Sequence, residues 1–258
     1  MWPDRRLLEL FKIELPIVQA PMAGAMDAEM VIAVARAGGL GSLPCAMLSP
    51  DKAREQVNIV RQQVSAPVNM NFFAHVATTP EPAREAAWRD RLAPYYRELG
   101  LDPAMPVPQA ARAPFDAAMC ELVEELKPEV VSFHFGLPEP ALLARVKAAG
   151  SVVIASATIV EEAKWLEARG VDAIIAQGAE SGGHRSMFLT DDIATQPGTF
   201  ALVPQVVDAV RVPVIAAGGI ADGRGIAAAF APGAAGAQIG TAYLRTPQSQ
   251  VNAIIRAG

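Results

Sequence analysis

Two neighbouring stretches decide the fold of this chain: VPVIAAGGIADGRG (212–225) and GAAGAQIGT (233–241). Each contains a short apolar run without polar alternation, which is typical of a buried parallel strand. Each run ends in glycine, at 218–219 and at 240, where backbone N–H groups can approach an anion closely. A helix predicted after the first pair of glycines would turn its positive end toward the same place. The pattern predicts a phosphate site formed by two successive strand ends, each of which carries the same glycine signal.

The rest of the chain repeats the same unit of strand and helix. Apolar runs predict strands at 17–22, 40–46, 67–73, 129–135, 152–157, 173–177, 213–217 and 237–244. Helical patterns lie between them at 28–37, 50–63, 114–126, 138–149, 159–168, 200–209 and 223–230. This alternation predicts a parallel sheet, and eight units in 258 residues fit one (β/α)8 TIM barrel, whose loops after strands 7 and 8 commonly hold phosphate.

One long excursion interrupts the pattern after strand 3, from His75 to about Ala113. An insertion of this length is either a lid or wall over the active face or a plain solvated loop, and the residues favour neither. We expect one TIM-barrel domain over 1–258 that includes this insertion.

Composition limits the class of protein. The chain is 52% hydrophobic with a net charge of −5, which allows a large core and argues against nucleic acid as a partner. No apolar run approaches the roughly 20 residues that span a bilayer. Cys45 and Cys120 are widely separated, which indicates a reducing compartment, and we expect Cys45 to be packed rather than reactive. We therefore expect a cytoplasmic protein without a membrane partner, and no side chains have the spacing of metal ligands.

Polar residues follow other predicted strands. Asn69 and Asn71 share one face of strand 3, where an amide can bond a heterocycle edge or only cap a turn. Gln177 ends strand 6 with a donor and an acceptor, and the glycines at 182–183 let the next loop wrap closely around a ligand. Together with the glycine strand ends, they predict a site with phosphate at one end and amide groups at the other.

The three histidines have unequal claims to a role. His134 ends strand 4 between two phenylalanines, where an imidazole can serve as acid or base, or can simply be a core histidine bonded to a carbonyl. His184 lies on the glycine loop and is a candidate to orient ligand or substrate. His75 opens the excursion and has the weakest claim.

Six segments resemble, in order, the motifs of the FMN-dependent nitronate monooxygenases, formerly called 2-nitropropane dioxygenases. These segments are QAPMAGA (19–25), NFF (71–73), SFHFG (132–136), QGAESGGHR (177–185), AAGGI (216–220) and QIGTAYLRT (238–246). The resemblance implies oxidation of an alkyl nitronate, such as propionate 3-nitronate, by O2 to a carbonyl compound and nitrite or nitrate. It also implies His134 as the catalytic histidine, which either removes the α-proton of a nitroalkane or, when protonated, holds the nitronate anion.

The resemblance also implies which residues bind FMN. They are Ala20, Pro21, Met22, Asn71, Gln177, Gly182, Gly183, Gly218, Gly219, Gln238, Ile239, Gly240 and Thr241. The expected partners are a small nitronate or nitroalkane and O2, in a monomer or homodimer. Compared with the family, the chain is expected to lack the usual C-terminal extension.

Two alternatives remain open. One is an FMN- and NADH-dependent enoyl-acyl-carrier-protein reductase, in which we would not expect the histidine of SFHFG. The other is a flavin-binding remnant with little activity.

Overall fold

The fold is built around a closed barrel of parallel strands. A computed structural model describes residues 2–77, 79, 81–105, 113–252 and 254. Over these residues the strands are β1 (Ile17–Gln19), β2 (Gly41–Pro44), β3 (Val68–Phe73), β4 (Val130–His134), β5 (Val152–Ala157), β6 (Ala173–Gln177), β7 (Val214–Ala217) and β8 (Gly236–Ile239). They pair in the order β1-β8-β7-β6-β5-β4-β3-β2. The ring closes where Gln19 N–H donates to Leu40 O and Leu40 N–H donates to Ile17 O, both at 2.9 Å.

Helices surround the barrel. In the described chain they are α1 (Arg6–Phe11), α2 (Ala28–Arg36), α3 (Pro50–Gln63), α4 (Pro82–Glu98), α5 (Ala117–Leu126), α6 (Pro140–Ala148), α7 (Val160–Glu167), α8 (Thr199–Ala209) and α9 (Gly223–Phe230). Local signals set their starts: the Ser49 side chain accepts from Lys52 N–H before α3, and Asp116 accepts from Met119 N–H before α5. None of these helices is long and apolar enough to cross a membrane.

The core has two parts, separated by the strands. The larger cluster lies between strands and helices and includes Met70 and Phe72 of β3. The smaller one fills the amino end of the barrel, where Leu7 and Phe11 of α1 pack as a plug. Because side chains alternate along a strand, Asn69 and Asn71 share one face of β3 as predicted, and the structure shows that this face is the one opposite Met70 and Phe72. The plug at one end leaves the carboxyl ends of the strands as the face on which a site can form.

The predicted barrel is confirmed, with differences at individual boundaries. The predicted elements at 50–63, 152–157, 173–177 and 223–230 have the observed limits. Strand 8 was expected to run to residue 244 but ends at Ile239, and Thr241–Arg245 forms a 3-10 turn. Strand 1 ends at Gln19 rather than at residue 22, since Pro21 has no N–H to continue the ladder.

The excursion after β3 contains a helix that the sequence analysis did not predict. Helix α4 spans 17 residues, and none of its side chains is buried. Its apolar residues, such as Trp88 and Tyr95, are largely exposed. The periodic apolar face that identifies a packed helix is therefore missing from its sequence. Part of the predicted excursion, 106–112, lies outside the described residues.

Candidate active site

Small residues form a cradle at the carboxyl ends of β7 and β8. Gly218 has φ +118°, and a Cβ there would lie 2.5 Å from Thr199 Oγ1, so only glycine fits. A Cβ on Gly182 would lie 3.0 Å from Thr241 Oγ1, which shows that the glycine loop after β6 meets the loop after β8. Gly182 and Thr241 are both exposed, so this meeting point is open to a ligand.

The segment after β1 joins the same cradle. Ala20 N–H donates to Ile239 O at 2.8 Å, which extends the pairing of β1 and β8 by one residue. A Cβ on Gly240 would lie 3.4 Å from the Ala20 Cβ and 3.9 Å from Met22 Sδ. The structure thus brings the predicted segment 20–22, which includes Pro21, against the end of β8.

The helical N-termini beside the cradle differ in whether a side chain accepts from their first N–H groups. Asp222 accepts from Arg224 N–H and Gly225 N–H at 3.0 and 3.1 Å, so it takes the donors of α9 that the sequence analysis assigned to an anion. Glu180 likewise accepts from Thr199 N–H at the start of α8. The 3-10 turn Thr241–Arg245 begins at Gly240 without a side-chain cap. Because uncapped N–H groups attract anions, this turn is where the face best fits a phosphate.

Glu180 also adds negative charge near the glycines. Burial acts to raise the pKa of this carboxyl, but hydrogen bonds from Thr199 outweigh it and hold the pKa below its usual value. A Cβ on Gly219 would lie 3.3 Å from the Glu180 Cβ. The loop after β7 therefore has little room for a second carboxylate.

Buried polar atoms near the cradle lack protein partners. Within the described chain, Gln238 Oε1 and Ser181 Oγ make no hydrogen bond, and Ser181 Oγ would lie 2.8 Å from a Cβ on Gly218. Deeper in the barrel, Asn69 Nδ2 donates to Ser42 Oγ at 2.9 Å, whereas Asn69 Oδ1 is unpaired. An unsatisfied buried polar atom costs about 1–3 kcal/mol, so these atoms favour a ligand with matching groups.

The opposite half of the face is a cluster of aromatic rings that gathers the three histidines of the sequence. Phe73, at the end of β3, has ring centroids of His75, His134, Phe135 and His184 within 6.2 Å. The centroid of the Phe135 ring is 4.8 Å from that of His134 and 5.7 Å from that of His184. Even His75, which had the weakest claim from sequence, belongs to this cluster.

Hydrogen bonds from the Gln177 side chain fix the glycine loop against these rings. Its Nε2 donates to His184 O at 3.0 Å, and its Oε1 accepts from Ser186 N–H at 2.7 Å. The Ser186 hydroxyl in turn accepts from Phe135 N–H at 3.2 Å. Both polar atoms of the Gln177 amide are therefore engaged within the protein. Asn71 is similarly engaged, since its Nδ2 donates to Ser132 Oγ at 3.0 Å.

His134 lies at the centre of this half in a defined state. Its Nε2 is 3.3 Å from His184 O. Because a carbonyl oxygen can only accept, Nε2 carries the proton in this contact and Nδ1 is left as the basic nitrogen. Burial lowers the pKa of His134 to about 4, against the weaker raising effect of the bond to His184 O. At neutral pH the imidazole is therefore neutral, with Nδ1 unprotonated.

The backbone after His134 is strained. Phe135 has φ +67°, a conformation that is rare for a bulky residue and costs about 1–3 kcal/mol. Such strain persists where surrounding contacts enforce it, and it is common at functional sites. The Phe135 turn directs its ring back over His134.

Comparison with known proteins identifies the family. The family model described as nitronate monooxygenase matches residues 4–258. The chain is 44% identical to the nitronate monooxygenase of Paraburkholderia phytofirmans, over 96% of this chain and 68% of that protein. It is 40% identical to the nitronate monooxygenase of Pseudomonas aeruginosa, over 97% of this chain and 72% of that one. The chain belongs to the nitronate monooxygenase family.

Solved structures agree with this family assignment. Nitroalkane oxidase from Streptomyces ansochromogenes superimposes with a TM-score of 0.87 at 36% identity, over 98% of this chain and 72% of that one. FabK from Thermotoga maritima gives a TM-score of 0.74 at 31% identity, over 100% of this chain and 67% of that one. As a nitronate monooxygenase family member the chain is an oxidoreductase enzyme, and proteins of this family are flavoproteins.

The cradle of this family member fits a flavin phosphate on its own geometry. The uncapped turn at 241–245, the small residues around it and the unpaired Gln238 Oε1 are all on the same side of the barrel. Among the described residues no group of three or more histidine, cysteine or acidic side chains could hold a metal ion.

Some residues of the site were not found from sequence. Phe73 belongs to the quoted NFF segment but was given no role, and Ser186 lies one residue beyond the quoted segment 177–185, because the importance of both lies in contacts with residues far along the chain. A serine between Arg185 and Met187 is indistinguishable from any loop serine. Cys45 behaves as expected, since it is fully buried and burial raises the pKa of its thiol to about 12.

Proposed function

We propose that this chain binds FMN and oxidises alkyl nitronates, such as propionate 3-nitronate, with molecular oxygen to a carbonyl compound and nitrite or nitrate. The observation that carries this proposal is a neutral, half-buried imidazole, His134, on the same barrel face as a cradle for a phosphate. A base and an anion site on one face suit a small acidic substrate beside a flavin.

FMN is the proposed flavin because the face offers one phosphate grip. Residues 182, 218–219 and 240–241 would hold the monophosphate through backbone N–H groups, with Thr241 as a hydroxyl donor. The sequence contains no separate dinucleotide fingerprint with a downstream acidic ribose partner. The flat segment 20–22, with Asn71, Gln177 and Gln238, would then face the ring system.

The role proposed for His134 is that of a base. When bound, the flavin supplies the electron acceptor for the nitronate and the means to use oxygen. The protein supplies position and proton transfer: Nδ1 of His134 accepts the α-proton of a neutral nitroalkane while Nε2–H stays on His184 O. Because the lowered pKa of His134 makes the cation scarce at neutral pH, the base role is favoured over the alternative of a protonated anion holder.

His184 and His75 complete the wall of the proposed substrate site. Both imidazoles lie edge-on to Phe135, at centroid distances of 5.7 and 6.2 Å. We propose that His184 orients the substrate, since it lies on the exposed glycine loop above the rings.

The reductase alternative has one observation in its favour, namely the FabK neighbour with a TM-score of 0.74. It is distinguished by its reactants. An enoyl thioester with NADH under anaerobic conditions would be consumed by a reductase, whereas a nitronate with O2 and no NADH would be consumed by the proposed enzyme.

The test begins with the purified protein and its visible spectrum. Flavin released by heat should be FMN by chromatography, and propionate 3-nitronate should consume O2 and produce nitrite or nitrate without NADH. A protein that cannot be loaded with FMN contradicts the cofactor, and one that holds FMN but oxidises no nitronate contradicts the reaction and leaves the remnant alternative. NADH consumption with an enoyl thioester would replace the proposal by the reductase.

A further inference from the structure

A buried carboxylate outside the ring cluster accepts hydrogen bonds from the loop after β6, which packs against the ring cluster. Glu162, in the first turn of α7, is fully buried. One of its oxygens, Oε2, accepts from Thr158 N–H at 2.7 Å and from Thr158 Oγ1–H at 2.8 Å. The other, Oε1, accepts from Phe188 N–H at 2.7 Å and from Leu189 N–H at 3.1 Å. Four donors from two distant segments therefore converge on one side chain.

The chemistry of this contact requires a carboxylate. An ionised glutamate accepts on both oxygens, whereas glutamine presents an NH2 group at one of them. In either orientation the NH2 group of a glutamine would face backbone N–H donors. The oxygen at Thr158 fixes only the residue before Ile159, the N-cap of α7. The second oxygen accepts from the N–H groups of Phe188 and Leu189, so it fixes a segment that is not part of α7.

The segment at 188–189 packs directly against the turn after β4. A Cβ on Gly136 would lie 3.3 Å from Phe188 Cδ2, so the Phe188 ring rests on that glycine. The ring centroids of Phe188 and Trp165 are 5.1 Å apart, and this contact supports Phe188 from the side of α7.

The same loop touches His134 from its upstream end. Ser186 accepts the N–H of Phe135, and His184 O lies 3.3 Å from His134 Nε2. Glu162 anchors one end of the span 184–189, and Gln177 anchors the other.

We propose that Glu162 is a positioning residue for His134: by fixing the backbone at 188–189, it keeps the loop packed over the His134–Gly136 turn. This inference rests on the proposed function, since that function makes His134 the base. Loosening the loop would admit water to the imidazole and move Nδ1 away from its place.

Among the described residues, two further histidines belong to the ring cluster of His134. His75 approaches from the segment after β3, and His184 approaches from the glycine loop. Glu162 is the carboxylate on the side of β5 and α7. Desolvation is the largest cause of the low pKa of His134, so a loop that admits water to the imidazole should raise this pKa.

The test compares two neighbouring glutamates in the flavin-loaded protein. Glu162→Gln should raise the pKa of His134 by about one unit or more and lower kcat on a neutral nitroalkane about 10-fold, with flavin retained. Glu161→Gln, on the exposed side of the same helical turn, should change neither. With only three histidines in the chain, 13C-histidine NMR resolves the titration, and His134→Asn assigns the signal.

The NMR readout separates this inference from the proposed function. A wild-type protein that oxidises no nitronate contradicts the function, while the His134 titration still tests Glu162. A folded Glu162→Gln protein with the wild-type His134 titration and kcat overturns the positioning role. Should that variant fail to fold, Glu162→Asp keeps the negative charge but shortens the side chain by one methylene, so that it can no longer reach both Thr158 and Phe188. An unchanged His134 titration in Glu162→Asp overturns the role equally.

Discussion

The two halves of the barrel face are built in opposite ways. The cradle beside β7, β8 and β1 is made of small residues and backbone, and Gly218 excludes a side chain altogether. The half beside β3 and β4 is made of side chains, with four rings packed around that of Phe135 and a backbone carbonyl against His134. The cradle has space for a ligand because its glycines lack side chains, whereas the ring half is formed by contacts between side chains from distant segments. Mutations should therefore separate retention of flavin from turnover.

The largest effect is expected in the cradle. Gly219→Asp should abolish flavin retention, because it adds a carboxylate beside Glu180 and the proposed phosphate, with a Cβ 3.3 Å from the Glu180 Cβ. The measurement is the ratio of flavin to protein absorbance after gel filtration. Gly100→Asp is the matched control, since its φ of +69° nearly equals the +70° of Gly219 and nothing lies within 4 Å of its Cβ. Equal flavin content in both variants would contradict the cradle.

The second largest effect is expected in the ring half, where a substitution should change turnover and leave flavin binding intact. His134→Asn should keep flavin bound but lower turnover of a neutral nitroalkane about 10²-fold or more, the usual scale for loss of a general base. Turnover of preformed nitronate should fall less, since that substrate has already lost the proton. Equal losses on both substrates would instead assign His134 to anion binding, and unchanged rates would return it to a structural role.

A smaller effect is expected from the contact that supports the strained turn. Ser186→Ala leaves Phe135 N–H without its acceptor and should lower the free energy of unfolding by about 1–3 kcal/mol and nitroalkane turnover about 10-fold. Ser151→Ala is a matched control, because Ser151 is also buried and its hydroxyl donates to Pro128 O at the amino end of β5. It should lose comparable stability by chemical denaturation without loss of kcat. Equal kcat for the two variants would contradict the role of Ser186.

The smallest expected change is with pH. The pKa of His134 is lowered by burial to about 4, so the base form persists as pH falls through the ordinary value near 6.5 and is lost only near pH 4. Between pH 7 and pH 5, kcat/KM on a neutral nitroalkane should therefore fall by only about a tenth, whereas an unperturbed histidine would lose about 25-fold. An acidic limb near pH 6.5, with the flavin spectrum intact, would show that the imidazole is solvated in the working enzyme.

The strands were predictable because buried parallel strands have a sequence signature. Uninterrupted apolar runs such as 152–157 and 173–177 matched the observed strands to the residue. Boundaries failed where backbone geometry decides, as after Ile239, where Gly240 starts a 3-10 turn instead of continuing the strand. Helix α4 was missed because it buries no side chain, so its sequence carries no apolar period.

By itself, the sequence determined the barrel and the place of the cradle, because glycines at strand ends act locally and can be counted along the chain. The tertiary structure alone decided the protonation state of His134. It also decided the hydrogen bonds of Gln177 to the glycine loop and of Glu162 to Phe188. These depend on contacts between segments that are far apart in sequence. Desolvation and hydrogen bonding act through space, so no local pattern of residues encodes them.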